Sequence, residues 1–177
     1  NGLPGNMRQL IQRLTDCLKE LDNQVVALEK EIKQWHASSE PSRELAEVGG
    51  IGPLTASALA ATVGDAKNFN RGSQLAAWIG LVPKQHSTGG KTVLLGISKR
   101  GDTYLRTLLI HGARAVIRHA EHKPGHADSW LGKVIARRGK SVAAVALANK
   151  NARIAWALLT KESKFRSDYA AVQPTAA

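Results

Sequence analysis

The stretch "ELAEVGGIGPLTASALAATVGD", residues 44–65, has two apolar segments on either side of a glycine-rich turn. The first segment runs into Gly49-Gly50-Ile51-Gly52. Pro53 then stands where a second helix can begin, since its missing N–H has no partner in a first helical turn anyway. The stretch therefore predicts two short helices joined by a tight turn, within an all-α fold.

The turn in this stretch resembles that of a helix–hairpin–helix DNA-binding element. In such elements, backbone N–H groups of the turn and of the following helix N-terminus face a phosphate. Gly50 and Gly52 are the candidate residues for that contact. A plain tight connection between two helices explains the segment equally well, and the sequence leaves both interpretations open.

Upstream of this stretch, apolar residues fall at alternating spacings of four and three, the 3.5-residue repeat of a left-handed coiled coil. The stripe is narrow, which favours pairing with another helix, in a second copy or in a longer parent chain. A helix lying on its own domain is the alternative. Residues 1–41 are predicted as a coiled-coil helix that ends at Pro41. The a positions are Ile11, Leu18, Val25 and Ile32, and the d positions are Met7, Leu14, Leu21, Leu28 and Trp35.

Downstream of the stretch, apolar periodicity predicts four further helices, over residues 73–83, 102–120, 126–139 and 140–161. Asp102 or Thr103 is the expected cap of the second, and the alanine-rich last helix is expected in the core. The polar loop at 83–102 contains "TVLLGIS", whose strand character indicates a short β-hairpin. The compact helical domain is predicted over residues 42–167, with a loose tail at 168–177.

The net charge of +11 is unevenly distributed along the chain. Residues 46–177 carry 19 Lys and Arg against 7 Asp and Glu, whereas residues 1–45 carry 6 against 7. A basic domain of this kind most often meets phosphate, in nucleic acid or anionic lipid. In the helix predicted at 102–120, Arg106, Arg114 and Arg118 share one face that could follow a nucleic-acid backbone. A solvated charged face is the alternative.

The loop "PKQHSTGGKTVLLGISKRGD", residues 83–102, places hydroxyl side chains beside two glycines. Ser87 could be a nucleophile, a phosphate-binding hydroxyl or an ordinary turn residue. The Gly89-Gly90 pair would let a bulky ligand approach the backbone closely. His86 is not expected to act as its base, because adjacent side chains rarely point at each other. The loop's cations would stabilise charge on a phosphodiester; they are Lys84, Lys91, Lys99 and Arg100.

Several kinds of site are not expected from the composition. The seven acidic residues of the basic part are scattered, which argues against a two-metal nuclease site and predicts no metal site in this chain. The single cysteine, Cys17, excludes a disulfide framework and a cysteine-based zinc site, and is compatible with a reducing cytoplasm. No apolar run is long enough for a membrane span, so a cytoplasmic protein without a membrane partner is expected.

Three runs of residues resemble the C-terminal transposase domain of a group of bacterial insertion-sequence transposases. They are "GGIGPLTASALAATVGD", "LAAWIGLVPKQHSTGGKTVLLGISKRGD" and "YLRTLLIHGARAV". Relatives of that group are the Piv-type DNA invertases, and several members are guided by a bridge RNA. In the group, a coiled coil links an N-terminal RuvC-like domain, which carries four acidic metal ligands, to the C-terminal domain. A serine of the C-terminal domain attacks DNA and becomes covalently linked to it.

The resemblance implies that Ser87 is the nucleophile, with Thr88 beside it as the fallback. It also implies that Lys91, Lys99, Arg100 and Arg106 contact DNA or guide-RNA backbone. The acids that would help activate the serine, with a divalent metal such as Mg²⁺, belong to the RuvC-like domain, which is not expected in this chain. The chain by itself is then expected to bind nucleic acid and to self-associate through the coiled coil, but not to recombine DNA.

Two alternatives to this function stay open from the sequence. One is a non-catalytic helix–hairpin–helix module that binds nucleic acid and dimerises. The other is a structural scaffold whose positive charge is incidental, which would show no salt-dependent nucleic-acid binding.

Overall fold

The computed structural model describes residues 2, 4–88, 91–122 and 124–160, except for the side chains of residues 87, 88, 91 and 92. In these ranges the chain forms seven α-helices and one β-hairpin, which confirms the all-α prediction and the hairpin within it. The predicted tail at 168–177 lies outside the described residues. The elements are α1 (Gly5–Ser38), α2 (Glu40–Ala46), α3 (Pro53–Val63), α4 (Gly72–Trp78), β1 (Pro83–Thr88), β2 (Lys91–Ile97), α5 (Thr103–Ala120), α6 (Trp130–Arg138) and α7 (Lys140–Thr160).

The N-terminal segment is one unbroken helix, α1, of 34 residues. It has no buried residue, and its apolar stripe is exposed over most of its length. Only its C-terminal turns meet the rest of the chain, where Ile32 and Trp35 lie beside α3. The helix ends at Ser38, before Pro41, and the Ser39 hydroxyl caps α2 by accepting a hydrogen bond from the Ser42 N–H.

The last helix, α7, lies at the centre of the compact part and packs against α4, α5 and α6. Its buried face is mostly alanine, which allows neighbouring backbones to come close. At Gly72 of α4, an added Cβ would lie only 3.0 Å from the Arg153 backbone. The other buried residues of α7 include Leu147 and Leu158. The prediction that the alanine-rich helix packs in the core is therefore confirmed.

The glycine-rich turn between α2 and α3 packs against the helical core. Gly50 adopts φ +93°, and its carbonyl oxygen lies so close to Gly112 of α5 that a Cβ at residue 112 would overlap it. The buried Asn151 side chain of α7 donates a hydrogen bond from Nδ2 to the Gly49 carbonyl oxygen at 2.9 Å. The turn therefore serves as the contact of the α2–α3 pair with α5 and α7.

Candidate nucleic-acid interface

The loop that the sequence singles out is an antiparallel hairpin formed by β1 and β2. Ser87 pairs with Thr92 and Thr88 with Lys91, while the Gly89-Gly90 pair between them lies outside the described residues. Ser87 and Thr88 occupy successive positions of one strand, and successive positions belong to opposite faces of a hairpin. Position 87 shares its face with Gln85, and position 88 shares its face with His86. The two candidate hydroxyl residues are therefore separable by position.

The base of the hairpin is fixed to the helical body by close backbone contacts. The Ser98 N–H donates to the Val82 carbonyl oxygen at 2.8 Å, and the Lys99 N–H donates to the Gly80 carbonyl oxygen at 3.2 Å. A Cβ on Gly101, which has φ +112°, would overlap the Trp78 carbonyl oxygen. Because the chain crosses itself so closely here, the hairpin leaves the body at a defined position.

The Arg106 side chain bonds to the segment next to the hairpin base. Its Nη1 donates to the Ile79 carbonyl oxygen at 2.8 Å, and its Nη2 donates to the Thr103 hydroxyl at 2.9 Å. The residue is 8% exposed. The expectation that Arg106 lies on an exposed basic face is therefore wrong, because Ile79 and Gly80, which follow α4, lie against its guanidinium. Its guanidinium supports the hairpin base from inside the fold.

The other cations of the loop surround this base on the outside. Lys84 of β1 is exposed, and so are Lys99 and Arg100 in the segment that follows β2. Lys99 has a left-handed backbone, at φ +54°, in the turn that brings the chain back to Gly80. Lys91 occupies the first position of β2, and its side chain lies outside the described residues. Positive charge is therefore placed at the base of the hairpin on two sides.

Farther along α5, Arg114 and Arg118 are exposed, as the helical period predicts. Together with Lys140 and Ser141 at the start of α7 they line a shallow cleft of about 270 Å³. Glu121 lies in the same cleft and accepts a charged hydrogen bond from Lys140 Nζ at 2.7 Å. This bond from Lys140 holds the pKa of Glu121 below its ordinary value. The Arg114 and Arg118 guanidiniums and the Ser141 hydroxyl suit a phosphate group, whereas Lys140 is paired with Glu121.

Comparison with known proteins finds that this hairpin and these helices are similar to a protein family. The family model described as "Transposase IS116/IS110/IS902 family" matches residues 42–128, which include α3, α4, the hairpin and α5. Residues 42–128 are therefore similar to this transposase family.

Relatives similar to the chain carry transposase names. It is 52% identical over 164 residues to a "Probable family 20 transposase" from Pseudomonas aeruginosa, a match that covers 93% of this chain and 48% of the relative. It is 48% identical to the "Transposase for insertion sequence element IS1111A" of Coxiella burnetii, covering 93% of this chain and 45% of that protein. A third relative, the "Transposase for insertion sequence element IS1328" of Yersinia enterocolitica, is 42% identical, with 92% and 49% covered. The chain thus spans about half the length of these curated relatives.

The region that matches the transposase family packs against α7, which lies beyond residue 128. Buried alanines of α7 cover α4 and α5. The Asn149 side chain donates a hydrogen bond from Nδ2 to the Leu81 carbonyl oxygen at 3.2 Å, just before the hairpin begins. The part of the chain that holds the hairpin in place therefore continues to α7.

The two glycines proposed for a phosphate contact have different surroundings in this domain. Gly50 is packed against Val116, Asn151 and Gly112, so its role is in the contact between helices. Gly52 is exposed at the N-cap of α3, and no atom lies within 4 Å of the position a Cβ would take. Of the two, only Gly52 has open space in front of it for a ligand.

Three side chains that sequence reasoning did not select help to build this interface. Lys140 and Ser141 join the arginine cleft because the start of α7 lies beside the end of α5. Asn149 fixes the start of the hairpin. The polar Asn149 and Asn151 within an alanine-rich apolar run were the available signal, since buried amides in such a run need hydrogen-bond partners.

Two further expectations concern metal ions and membranes. Within the described part of the chain, no three His, Cys, Asp or Glu side chains are grouped closely enough to hold a metal ion. None of the helices described is both long enough and apolar enough to cross a membrane.

Proposed function

We propose that this chain is the serine-bearing C-terminal part of a DNA transposase that cuts and rejoins DNA through a covalent serine–DNA intermediate. The observation that carries the proposal is the match of residues 42–128 to the transposase family, with Ser87 at the end of a hairpin on a basic surface. The names of the relatives support the same activity. The reaction, its substrate and its partners belong to a protein of about twice this length.

The covalent step follows from the chemistry of a serine hydroxyl. The Ser87 oxygen attacks the phosphorus of a phosphodiester and a new P–O bond forms. The bond from phosphorus to one deoxyribose oxygen breaks, so that the released DNA end carries a hydroxyl. The serine proton must go to a base and the leaving oxygen must gain a proton. Rejoining reverses these steps with the hydroxyl of another DNA end as the attacking group.

The surface around the hairpin supplies charge for this step. Exposed Lys84, Lys99 and Arg100 can bind the phosphates that flank the attacked one, which positions the DNA backbone and stabilises negative charge. Arg106 serves this step indirectly, because it holds the hairpin base at Ile79. Since no acidic cluster is present in the described residues, no step of the mechanism is assigned to a metal ion within this chain. The metal-binding acids are proposed to come from the RuvC-like domain.

Two further partners belong to this proposal. The Arg114–Arg118 cleft, about a dozen residues along α5 from the hairpin base, suits the backbone of DNA or of a guide RNA. The exposed apolar stripe of α1 is proposed to join two copies as a coiled coil. The alternative function is a nucleic-acid-binding module without catalysis. It would use the Arg114–Arg118 cleft and the coiled coil in the same way, and Ser87 would have no catalytic role.

Covalent trapping with the full-length protein separates these functions. Wild type, Ser87→Ala and Thr88→Ala are incubated with matched DNA, guide RNA and Mg²⁺, and protein–DNA adducts that survive denaturant are measured. An adduct that is lost in Ser87→Ala and kept in Thr88→Ala supports Ser87 as the nucleophile. Loss in Thr88→Ala alone moves the role to the opposite face of the hairpin. If neither change affects the adduct, or none forms in any of the proteins, the serine mechanism is wrong.

A further inference from the structure

The heptad seam of α1 is exposed from its first turns to Leu28. Its side chains are 47% exposed at Met7, 71% at Leu14 and 57% at Leu28, and no described residue outside α1 covers them. Such a contiguous apolar stripe on a helix of 34 residues is unusual unless another helix packs against it. The 3.5-residue repeat makes a second copy of the same helix a suitable partner.

At its C-terminal end the seam is already occupied by the chain's own helix. Ile32 and Trp35 line a shallow, mostly apolar groove of about 280 Å³, whose other wall includes Leu54 and Ala58 of α3 together with Tyr104 of α5. Ile32 is an a position and Trp35 a d position, so α3 lies on the seam side of α1. A chain of hydrogen bonds fixes this junction. His36 Nδ1 lies 2.7 Å from the Ser42 hydroxyl, which lies 3.3 Å from the buried Ser57 hydroxyl.

We propose that α1 pairs with α1 of a second copy in the antiparallel direction, so that the first turns of each helix reach the groove beside α3 of the other copy. The inference rests on the coiled-coil pairing proposed above and adds its direction and register. In a parallel pair, both copies would bring α3 to the seam at the same level. Paired helices lie only about 8–10 Å apart, so two α3 helices at one level would compete for the same seam surface, whereas each end of an antiparallel pair holds one α3. In an antiparallel pair the two compact domains lie at opposite ends.

The heptad positions set the register of this pair. In antiparallel coils an a residue meets a d residue, so Leu18 meets Leu21, Leu14 meets Val25 and Ile11 meets Leu28 of the second copy. Met7 then lies level with Ile32 at the mouth of the groove. Met7 is the single methionine of the chain, and its flexible, polarisable side chain suits an irregular apolar groove.

The charges that flank the seam agree with this direction. Asp22, Glu29 and Glu31 all flank the C-terminal half of the seam. A parallel pair would place both sets of three carboxylates at the same level, whereas an antiparallel pair separates them. The antiparallel register also brings Arg8 of one copy level with Glu31 and within two residues of Glu29 of the other, which is a favourable combination of charges.

Pulsed electron-spin distance measurements on the 177-residue chain test the direction. A single label is placed on the outer face of α1 in a Cys17→Ser background, at Lys30→Cys or at Gln9→Cys. In the proposed register residue 30 lies level with residue 9 of the second copy, so two labels at 30 are separated by about 32 Å along the axis, at 1.5 Å per residue. In mixed dimers with one label at 30 and one at 9 the labels have no axial offset, so their distance is shorter than the distance between two labels at 30.

Each outcome decides a separate point. A distance between two labels at 30 that is shorter than the distance between labels at 30 and 9 shows a parallel pair, which overturns this inference and leaves the coiled-coil pairing intact. If analytical ultracentrifugation shows a monomer at every concentration from roughly 2 to 100 μM, both the pairing and its direction are overturned. The covalent-trapping experiment on Ser87 is independent of either result.

A pair of substitutions tests the groove. Leu54→Asp places a charge in the groove wall, and we expect the dissociation constant of the dimer to rise at least about tenfold, which corresponds to about 1.4 kcal/mol. Val142→Asp, at a similarly exposed valine of α7, is the control and should leave dimerisation unchanged. Equal dissociation constants for the two variants would show that the groove receives no part of the second copy.

Discussion

Replacement of Arg106 by methionine tests whether this side chain holds the hairpin or binds nucleic acid. Arg106→Met keeps a long apolar stem and removes the guanidinium that bonds to the Ile79 carbonyl oxygen at 2.8 Å and the Thr103 hydroxyl at 2.9 Å. A hydrogen bond to a charged group contributes about 1.5–3 kcal/mol, and more of this is lost when the remaining partner stays buried. Ile79 is fully buried, whereas Thr103 is exposed and can bond to water instead.

We therefore expect Arg106→Met to lower the free energy of unfolding by about 2–3 kcal/mol, most of it from the Ile79 carbonyl. Arg114→Met is the matched control, on the same helix and exposed, and should change the free energy of unfolding by no more than about 0.5 kcal/mol. Arg106→Lys should fall between wild type and Arg106→Met, because a lysine cannot reproduce the two-pronged donor geometry. The measurement is urea unfolding followed by far-ultraviolet circular dichroism.

Nucleic-acid binding by the same variants completes this experiment. At a temperature where both proteins are folded, Arg114→Met is expected to weaken binding more than Arg106→Met. The reasoning is refuted if Arg106→Met is as stable as wild type and binds nucleic acid more weakly than Arg114→Met does. In that case Arg106 would contact the ligand, and the hairpin base would be held by the remaining backbone contacts alone.

Three further predictions concern the helical body and the cleft. Gly112→Ala should lower the free energy of unfolding, measured by urea unfolding, by about 2 kcal/mol or more, because the new Cβ overlaps the Gly50 carbonyl oxygen. Gly49→Ala has open space at its Cβ position and should leave the free energy of unfolding nearly unchanged. Arg114→Glu combined with Arg118→Glu should weaken nucleic-acid binding and reduce the salt dependence of that binding. Fluorescence anisotropy titrations at several salt concentrations measure both quantities. Arg13→Glu on α1 is the control and should leave both unchanged. The hydrogen bond from Lys140 lowers the pKa of Glu121 below its ordinary value. The stabilisation from this pair is therefore fully present above the ordinary pKa and is lost as the pH falls through the lowered pKa. Acid unfolding curves of Glu121→Gln should lack this part of the pH dependence.

Much of the local structure could be predicted from the sequence, because it depends on spacing between near neighbours. The heptad run predicted α1, the apolar periods predicted the later helices, and Asp102 caps α5 through a hydrogen bond from the Leu105 N–H at 2.8 Å. "TVLLGIS" indicated the hairpin that β1 and β2 form. The similarity to the transposase family also lies in the sequence, since the residues of the turn, the hairpin and α5 carry the resemblance.

Arg106 and Arg114 show what helical spacing leaves undecided. Both lie on the side of α5 that the period predicts to be basic, yet Arg106 is buried and Arg114 is exposed. The difference arises because Ile79 and Gly80, which follow α4, lie against the Arg106 guanidinium, whereas Arg114 lies eight residues farther along α5. Gly50 and Gly52 differ for the same kind of reason, since α5 and α7 lie over Gly50 and leave Gly52 open.

The seam of α1 is divided in the same way. The sequence by itself determined that α1 is a helix with one narrow apolar stripe, because the stripe follows from residue spacing within the helix. Only the tertiary structure decided that its last two positions, Ile32 and Trp35, belong to the chain's own groove while Met7 to Leu28 remain exposed. That division depends on where α3 packs. The turn that leads into α3 contacts Gly112 and Asn151, which lie far away in the sequence.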